Sequence, residues 1–243
     1  NTNDFFLVDT GNRFLNNSII IFNKYYPKFK SKKDIVEFKL KGIEIGDLIY
    51  DSYLKEKLIA TIDLDDKNFH EFFINSLKVY LYWSDYLDRN NVKSIILSHS
   101  VYMNAILLRI AIGRNIPCYQ VNIHNVYFLN KKNKFAYVNF KNYSKEFHKL
   151  KKNLQIKGLQ IAKSRILKRF KGKVGIDMHY STKSAYHNHY YKKKILSNSN
   201  KTKVIILPHD FIDNPHPYTN KMLFPDYYEW LKFLFEISKK TDY

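Results

Sequence analysis

Cysteine is almost absent from this chain, and the shortage excludes two common ways of holding a fold together. Among 243 residues, Cys118 is the single cysteine. One thiol cannot form an intrachain disulfide or a cysteine-based zinc site, and its presence fits a reducing compartment. Cys118 also lies inside a predicted strand, where a free thiol behaves as a small buried apolar group. We therefore expect a cytoplasmic protein.

Long apolar runs are missing too. No stretch of 18 apolar residues occurs, so the sequence predicts no transmembrane helix, and Asn1-Thr2-Asn3-Asp4 does not resemble a signal peptide. The chain has no initiating methionine, and it stops at Tyr243 directly after a predicted helix. We interpret it as a fragment of a longer protein that is inactive when isolated.

Acidic residues are scarce relative to basic ones. There are 22 Asp and Glu residues against 41 Lys and Arg residues, which gives a formal net charge of +19. Such a charge attracts nucleic acid, an anionic membrane surface or a phosphorylated substrate, although a Lys-, Asn- and Ile-rich composition also produces it without functional meaning. Residues 143–170 form a long basic helical pattern, the best candidate in the chain for a nucleic-acid or membrane surface. Its apolar residues also supply a face to pack, and we favour a packed helix with a basic outer side. Lysines elsewhere are spread through nearly every segment, so no specific nucleic-acid partner is expected.

Apolar residues are plentiful and alternate between strand and helix patterns. A strand over 92–97, a helix over 103–114 and a strand over 116–121 form a strand-helix-strand unit, which predicts a Rossmann-like parallel sheet. Neither a dinucleotide fingerprint nor a P-loop accompanies this unit. The remaining predicted elements are strands over 5–9 and 18–22, a helix into which the stretch 42–53 leads, a helix over 68–89, and a hairpin of 126–129 with 135–138.

Polar side chains follow two of the predicted strands. His99 and Tyr102 come after the strand that ends at Leu97. The apolar run Val204 to Leu207 predicts a second, buried strand, and it is followed by four titratable residues: His209, Asp210, Asp213 and His216. Ligands of open parallel sheets bind beyond the carboxyl ends of strands, so we expect these two groups to face each other across a cleft.

Two predicted helices carry further polar candidates. Pro225 is suited to the first position of a helix whose first turn carries Asp226 and Glu229. Near the start of the chain, the stretch 42–53 leads into a helix, and its Asp47, Tyr50 and Asp51 can line a polar cleft or form an exposed acidic edge. The close pair His187 and His189 lacks a nearby set of carboxylates, so no metal site is expected.

Three segments together resemble bacterial capsule and surface-polysaccharide biosynthesis proteins. They are His209-Asp210-Phe211-Ile212-Asp213-Asn214-Pro215-His216-Pro217-Tyr218, Leu223-Phe224-Pro225-Asp226-Tyr227-Tyr228-Glu229-Trp230-Leu231 and Thr241-Asp242-Tyr243. The resemblance extends to Ser98-His99-Ser100-Val101-Tyr102 and Lys183-Ser184-Ala185-Tyr186. The proteins of this group are similar to GT-B glycosyltransferases, including the Kdo transferases of capsule assembly. The Lys-Pro-His-Pro type motif of that group is absent here, and Asp210 stands where a small residue or Cys is usual.

The resemblance implies an α/β fold with a Rossmann-like parallel-sheet domain and the start of a second Rossmann-like domain, a truncated GT-B arrangement. Residues 1–197 would form the acceptor-side domain, and 202–243 would begin the nucleotide-sugar-binding domain. The implied activity is transfer of a sugar from a nucleotide-sugar donor of unknown identity to a glycan or lipid-linked glycan acceptor. No permanently bound cofactor is implied, and a peripheral contact with an anionic inner membrane is a further expected interaction.

The resemblance and the residue types together give a set of candidate site residues. The candidates for catalysis are His209, Asp210, Asp213 and His216. The candidates for substrate binding are His99, Tyr102, Asp47, Tyr50, Asp51, Lys183, Tyr218 and Asp226. Two other classes of function stay open, a basic nucleic-acid-binding module and a non-catalytic polysaccharide-binding or scaffold protein.

Overall fold

A bundle of helices with two small sheets makes up most of the described chain. The computed structural model describes residues 12–122, 125–134, 142–176, 181–184, 186, 200, 202–213, 215–219 and 222–241. The chain groups into two compact units, one made of residues 1–138 with 203–243 and the other of residues 139–202. We call them unit 1 and unit 2. The assignment of 1–197 and 202–243 to two GT-B domains stays a prediction.

Unit 1 begins with helices that surround an aromatic core. Helix α1 spans Leu15–Tyr25, a single helical turn spans Tyr26–Lys28, and α2 spans Lys32–Val36. Strands β1 (Lys39–Leu40) and β2 (Ile43–Glu44) pair antiparallel before α3 (Gly46–Lys57) and the long α4 (Lys67–Arg89). The predicted helix over 68–89 is therefore confirmed. Rings from these elements meet edge to face, for example Tyr26 with Phe73 at 5.5 Å between centroids.

The second sheet has three strands. Strand β3 (Ile95–Leu97) is followed by α5 (Asn104–Gly113) and β4 (Cys118–Val121), and β3 pairs with β4 in parallel. Strand β5 (Val126–Leu129) pairs with β4 antiparallel, which completes the order β3-β4-β5. The strand-helix-strand prediction is confirmed, and the architecture is mixed α/β. The hairpin prediction pairs 126–129 with 135–138 and differs from the observed pairing with β4, while 135–138 lie outside the described residues.

Two strand predictions in unit 1 are wrong. Residues 18–22 belong to α1. Phe22 contacts Tyr26 four residues later and also packs on Phe73 of the core, while the Ser18 hydroxyl donates to the Phe14 carbonyl four residues earlier. Residues 204–207 form no strand and are exposed, with Leu207 86% accessible. The apolar run has no neighbouring strand in the described chain to complete its backbone hydrogen bonds. The strand predicted over 5–9 lies outside the described residues.

The end of the chain belongs to unit 1 and contains two helices. The short α8 spans Pro215–Thr219 and contacts α3, and α9 spans Tyr227–Ser238. Asp226 caps α9 by accepting a hydrogen bond from the Glu229 backbone N–H at 2.8 Å. The helix predicted after Pro225 is therefore confirmed, with its first residue two positions later.

Unit 2 contains α6 (Tyr143–Lys149) and α7 (Lys152–Phe170). The predicted helix over 143–170 is confirmed apart from a break at Leu150, whose extended backbone ends α6.

Candidate functional site

Helix α3 carries a row of polar side chains that receives partners from distant parts of unit 1. Asp47, Asp51 and Lys55 follow one another at intervals of four residues, so they lie along one side of the helix. At its first residue, Gly46, helix α3 also packs closely against α2. A Cβ on Gly46 would stand 1.8 Å from the Ile35 carbonyl oxygen, so only glycine lets α3 approach α2 this closely.

Asp47 is held by an arginine of α5. The two terminal nitrogens of Arg109 donate to the two carboxylate oxygens of Asp47 at 2.5 and 2.6 Å. The first of these nitrogens also donates to the Glu44 carbonyl at 2.9 Å. Because the Arg109 side chain is almost completely buried, this bidentate pair fixes α5 against α3 and leaves Asp47 little freedom to contact a ligand.

Asp51 is fully buried and forms a pair with His216 of α8. The distance from Nδ1 of His216 to Oδ1 of Asp51 is 2.5 Å, and the backbone N–H of His216 donates to Oδ2 at 3.2 Å. Nε2 of His216 donates to the Pro225 carbonyl at 2.7 Å. Both ring nitrogens are therefore engaged, and His216 is 8% exposed. The pair anchors α8 on α3 and does not face solvent as the predicted loop residue would.

The contacts of this pair determine its protonation. The Pro225 carbonyl requires a proton on Nε2, and the contact between Nδ1 and Oδ1 requires a second one. Burial lowers the pKa of His216, but the Asp51 charge and its hydrogen bonds outweigh this effect and raise the pKa above its ordinary value. Burial also raises the pKa of Asp51. Both pKa shifts mean that the folded pair holds one more proton than a neutral histidine beside an ionised aspartate would hold.

A second buried group forms around Asp226. The hydroxyls of Tyr50 and Thr61 donate to Oδ2 of Asp226 at 2.5 and 2.6 Å, while Oδ1 caps α9. Burial and the neighbouring Asp226 carboxylate raise the pKa of Tyr50 strongly, so its hydroxyl remains a donor. Lys32 extends the network by donating to Thr61 at 2.7 Å and to Glu229 at 2.5 Å. Tyr50 and Asp226 thus join the C-terminal segment to α3.

The solvent-exposed end of the row is formed by Lys55, Tyr102 and Asp213, which we call the rim. The Tyr102 hydroxyl donates to Oδ1 of Asp213 and to the Ile212 carbonyl, both at 3.3 Å. Nζ of Lys55 donates to the same hydroxyl at 3.2 Å and lies 4.8 Å from the ring centroid. Tyr102 follows β3 and has φ +56°, a backbone conformation that non-glycine residues adopt mostly under tertiary constraint.

Three further candidates are exposed. His99 lies in the loop after β3, three residues before Tyr102. Nδ1 of His209 lies 3.1 Å from the Asp210 carbonyl, and its ring faces Tyr227 at 6.0 Å between centroids. The Asp210 carboxylate accepts a hydrogen bond from the Ile212 backbone at 3.1 Å, an arrangement typical of a turn. The imidazole of each histidine is within reach of solvent.

Two candidates lie apart from this set. Lys183 belongs to unit 2 and is exposed. Tyr218 lies in α8, and its side chain is outside the described residues. The structure therefore brings together Asp47, Tyr50, Asp51, Tyr102, Asp213, His216 and Asp226, and it places His99, His209 and Asp210 on the surface of the same unit.

Sequence reasoning did not select four members of the network, Arg109, Lys32, Lys55 and Thr61. Arg109 left a signal, because it is a single charged residue within the apolar run of α5. Charges are rarely buried without a partner, so such an arginine indicates an unseen carboxylate. Thr61 and Lys55 carry no comparable signal.

Comparison with sequence models of protein families, with curated proteins and with solved structures found no match for this chain. Within the described residues, no group of three or more His, Cys, Asp or Glu side chains is placed to hold a metal ion. No helix in the same residues has the length and apolar character needed to cross a membrane.

Proposed function

We propose that this chain is a glycosyltransferase-like protein of bacterial surface or capsular polysaccharide biosynthesis, which transfers a sugar from a nucleotide-sugar donor to a glycan acceptor. The parallel pair of β3 and β4 with α5 between them supports a Rossmann-like, GT-B-type arrangement. In this proposal residues 202–243 open the nucleotide-sugar-binding domain.

The observation that carries the proposal is the contact between Tyr102 and Asp213. It joins the loop at the carboxyl end of a parallel strand to the loop of His209 and Asp210, and Lys55 adds a positive charge at the same place. Sugar transfer with inversion needs a base for the acceptor hydroxyl and a cation for the departing phosphate. The rim offers a carboxylate and an ammonium group in contact with one tyrosine.

The reaction assigns a role to each rim residue. The acceptor hydroxyl oxygen attacks the anomeric carbon of the donor, and its proton passes to the Asp213 carboxylate. The bond between the anomeric carbon and the phosphate oxygen breaks, and its electron pair leaves with the nucleotide, whose charge Lys55 offsets. Tyr102 holds the carboxylate in place. His209 and His99 are the alternative bases, because His216 is buried with both ring nitrogens engaged.

A groove on unit 1 offers a surface for the sugars. It has a volume of about 460 Å³ and is lined by residues of α2, α9 and the segment before α9. The lining includes the rings of Phe224 and Phe233, two lysines and two glutamates, and one lysine, Lys32, pairs with Glu229. Aromatic rings present apolar faces to sugar rings, and the charged groups can hydrogen-bond to sugar hydroxyls. This combination supports a glycan as the ligand.

A panel of nucleotide sugars tests the proposal with two readouts on the same chain. Saturation-transfer NMR reports donor binding, and release of the free nucleotide reports turnover. We expect binding of at least one donor. Where turnover accompanies it, Asp213→Asn should lower the rate on the order of a hundredfold, while Asp65→Asn, an exposed carboxylate in another loop of unit 1, leaves it unchanged. Donor binding without nucleotide release is the result expected of an inactive fragment, whereas a chain that binds no donor would refute the proposed function.

A further inference from the structure

Helix α7 exposes apolar residues along its whole length. Ile156, Leu159, Ile166, Leu167 and Phe170 are between 48% and 61% accessible. At 100° per residue these five positions fall within an arc of about 100° on the helix circumference. No residue of this helix is buried, although all 19 are described. Apolar side chains gathered on one side of a helix and left open to water indicate an interaction surface.

The other side of α7 is basic. Lys157, Arg165, Lys168 and Arg169 fall within an arc of about 120° centred opposite the apolar stripe. Lys152 and Lys163 lie within the stripe itself, and Leu154 and Ile161 lie among the basic residues. A lysine at an apolar face can lay its aliphatic stem along the face and extend its ammonium group beyond it. The helix therefore combines apolar contact with positive charge on all sides.

Acidic residues are absent from the stretch around α7. Between Glu146 and Asp177 the sequence contains no Asp or Glu residue. The partner of such a surface must be anionic and must also accept aliphatic side chains. A nucleic acid meets the first requirement through its phosphates, but aliphatic stripes contribute little to phosphate contacts. A bilayer that contains anionic lipid meets both.

We propose that α7 binds the surface of an anionic lipid bilayer and lies in the plane of its headgroups. In this position the stripe of Ile156, Leu159 and Phe170 enters the boundary of the acyl chains, while the basic residues meet the lipid phosphates. Helices with these two faces and a length near 20 residues bind membrane interfaces without spanning them. The 19 residues of α7, from Lys152 to Phe170, have the length of this class, and the stripe and the basic arc supply its two kinds of contact.

Cosedimentation with vesicles tests the proposal on the whole chain. We expect binding to vesicles of phosphatidylcholine mixed with phosphatidylglycerol, weak binding to phosphatidylcholine alone, and a loss of binding as salt is added. Replacing Lys157 and Lys168 together by Gln should lower the partition coefficient roughly thirtyfold, because each basic residue near such a surface contributes about 1 kcal/mol. The pair Lys93→Gln and Lys132→Gln, exposed residues of unit 1, makes the same change in net charge and should have a small effect.

A labelling experiment determines which side of the helix faces the lipid. Cys118 is fully buried, and burial raises its pKa to about 11, so a thiol-reactive dye will attach to a cysteine introduced at an exposed site. An environment-sensitive dye at Leu159→Cys should shift its emission to shorter wavelength on anionic vesicles. The same dye at Ser164→Cys, on a polar side of α7, should shift much less. Circular dichroism of each variant shows whether the helix content is retained.

Three outcomes would overturn the proposal. One is equal weakening by the Lys157 and Lys168 pair and by the control pair, which would assign binding to net charge alone. Another is equal emission shifts at positions 159 and 164. The third is tighter binding of single-stranded RNA than of anionic vesicles, together with RNA binding that Leu159→Gln and Phe170→Gln do not change. That result would identify α7 as a nucleic-acid surface.

Discussion

Helices α3 and α7 both carry charged and apolar residues at helical spacing, yet their environments are opposite. In α3, eight of 12 residues are buried, including Asp51, whereas none of the 19 residues of α7 is buried. The difference lies in the partners. Asp47, Tyr50 and Asp51 of α3 each meet a charged or hydrogen-bonding partner from a distant part of unit 1, whereas no apolar side chain of α7 is buried by the part of the chain that the structure describes. Burial is thus decided by complementary groups elsewhere in the chain, not by the helix alone.

The largest loss of stability is expected from His216→Ala, which removes the partner of Asp51 in α3. The substitution leaves the Asp51 carboxylate buried without its main partner, and breaking a buried pair in this way costs about 3–5 kcal/mol. Denaturant unfolding of the whole chain measures the change in the free energy of unfolding.

His209→Ala is the matched control for this prediction. It removes an exposed imidazole from the same segment and should change stability by less than about 0.5 kcal/mol. Equal losses in the two variants would contradict the anchoring role of the Asp51 and His216 pair.

A somewhat smaller effect is expected from Asp226→Ala. The change removes the cap of α9 and leaves the buried Tyr50 hydroxyl without its acceptor, which together cost about 2–3 kcal/mol. Chemical unfolding again gives the value. Asp210→Ala, which removes an exposed carboxylate of the preceding loop, serves as the comparison. A larger loss of unfolding free energy in Asp210→Ala than in Asp226→Ala would show that the buried network contributes less to stability than the turn.

The proton shared by Asp51 and His216 predicts a dependence of stability on pH. The pKa of His216 is raised in the folded chain, so its contribution is complete below the unfolded value of about 6.5 and is lost as the pH rises through the folded pKa. Between those two values the free energy of unfolding should fall by up to about 1.4 kcal/mol per pH unit. Unfolding curves recorded from pH 6 to about pH 9 measure it.

The variant His216→Gln isolates this dependence. Because glutamine does not titrate, the slope attributed to the pair should disappear from its profile, while His209→Ala should keep it. A profile of His216→Gln parallel to that of the original chain would assign the dependence to other groups.

The sequence was informative where local pattern decides the structure. The unit of β3, α5 and β4 followed from strand and helix patterns within about 30 residues. Residues 18–22 were misassigned because three consecutive isoleucines resemble a strand, although the aromatic core selects the helix. The run Val204 to Leu207 was misassigned because apolar character alone does not provide a neighbouring strand.

The sequence selected several polar residues of the buried network but did not predict their pairings. Asp47, Tyr50 and Asp51 were selected from a polar helix edge, but their partners Arg109, Asp226 and His216 lie 62, 176 and 165 residues away in sequence. No local pattern encodes such separations. His216 was expected on a loop with His209 because the two share a segment, whereas the structure buries one imidazole and exposes the other.

The smallest effect is expected in α7, where substitutions should alter binding and not folding. Leu159→Gln removes an aliphatic side chain that is 61% accessible, so little apolar area returns to water on unfolding and the free energy of unfolding should change by less than about 0.5 kcal/mol. The matched change in α3 is Leu54→Gln, which places an amide in the core and should cost several-fold more, about 3 kcal/mol. Thermal and denaturant unfolding of both variants give the comparison. If Leu159→Gln destabilises the chain as much as Leu54→Gln, then α7 packs against a surface of its own chain, and its apolar stripe is not available to a bilayer.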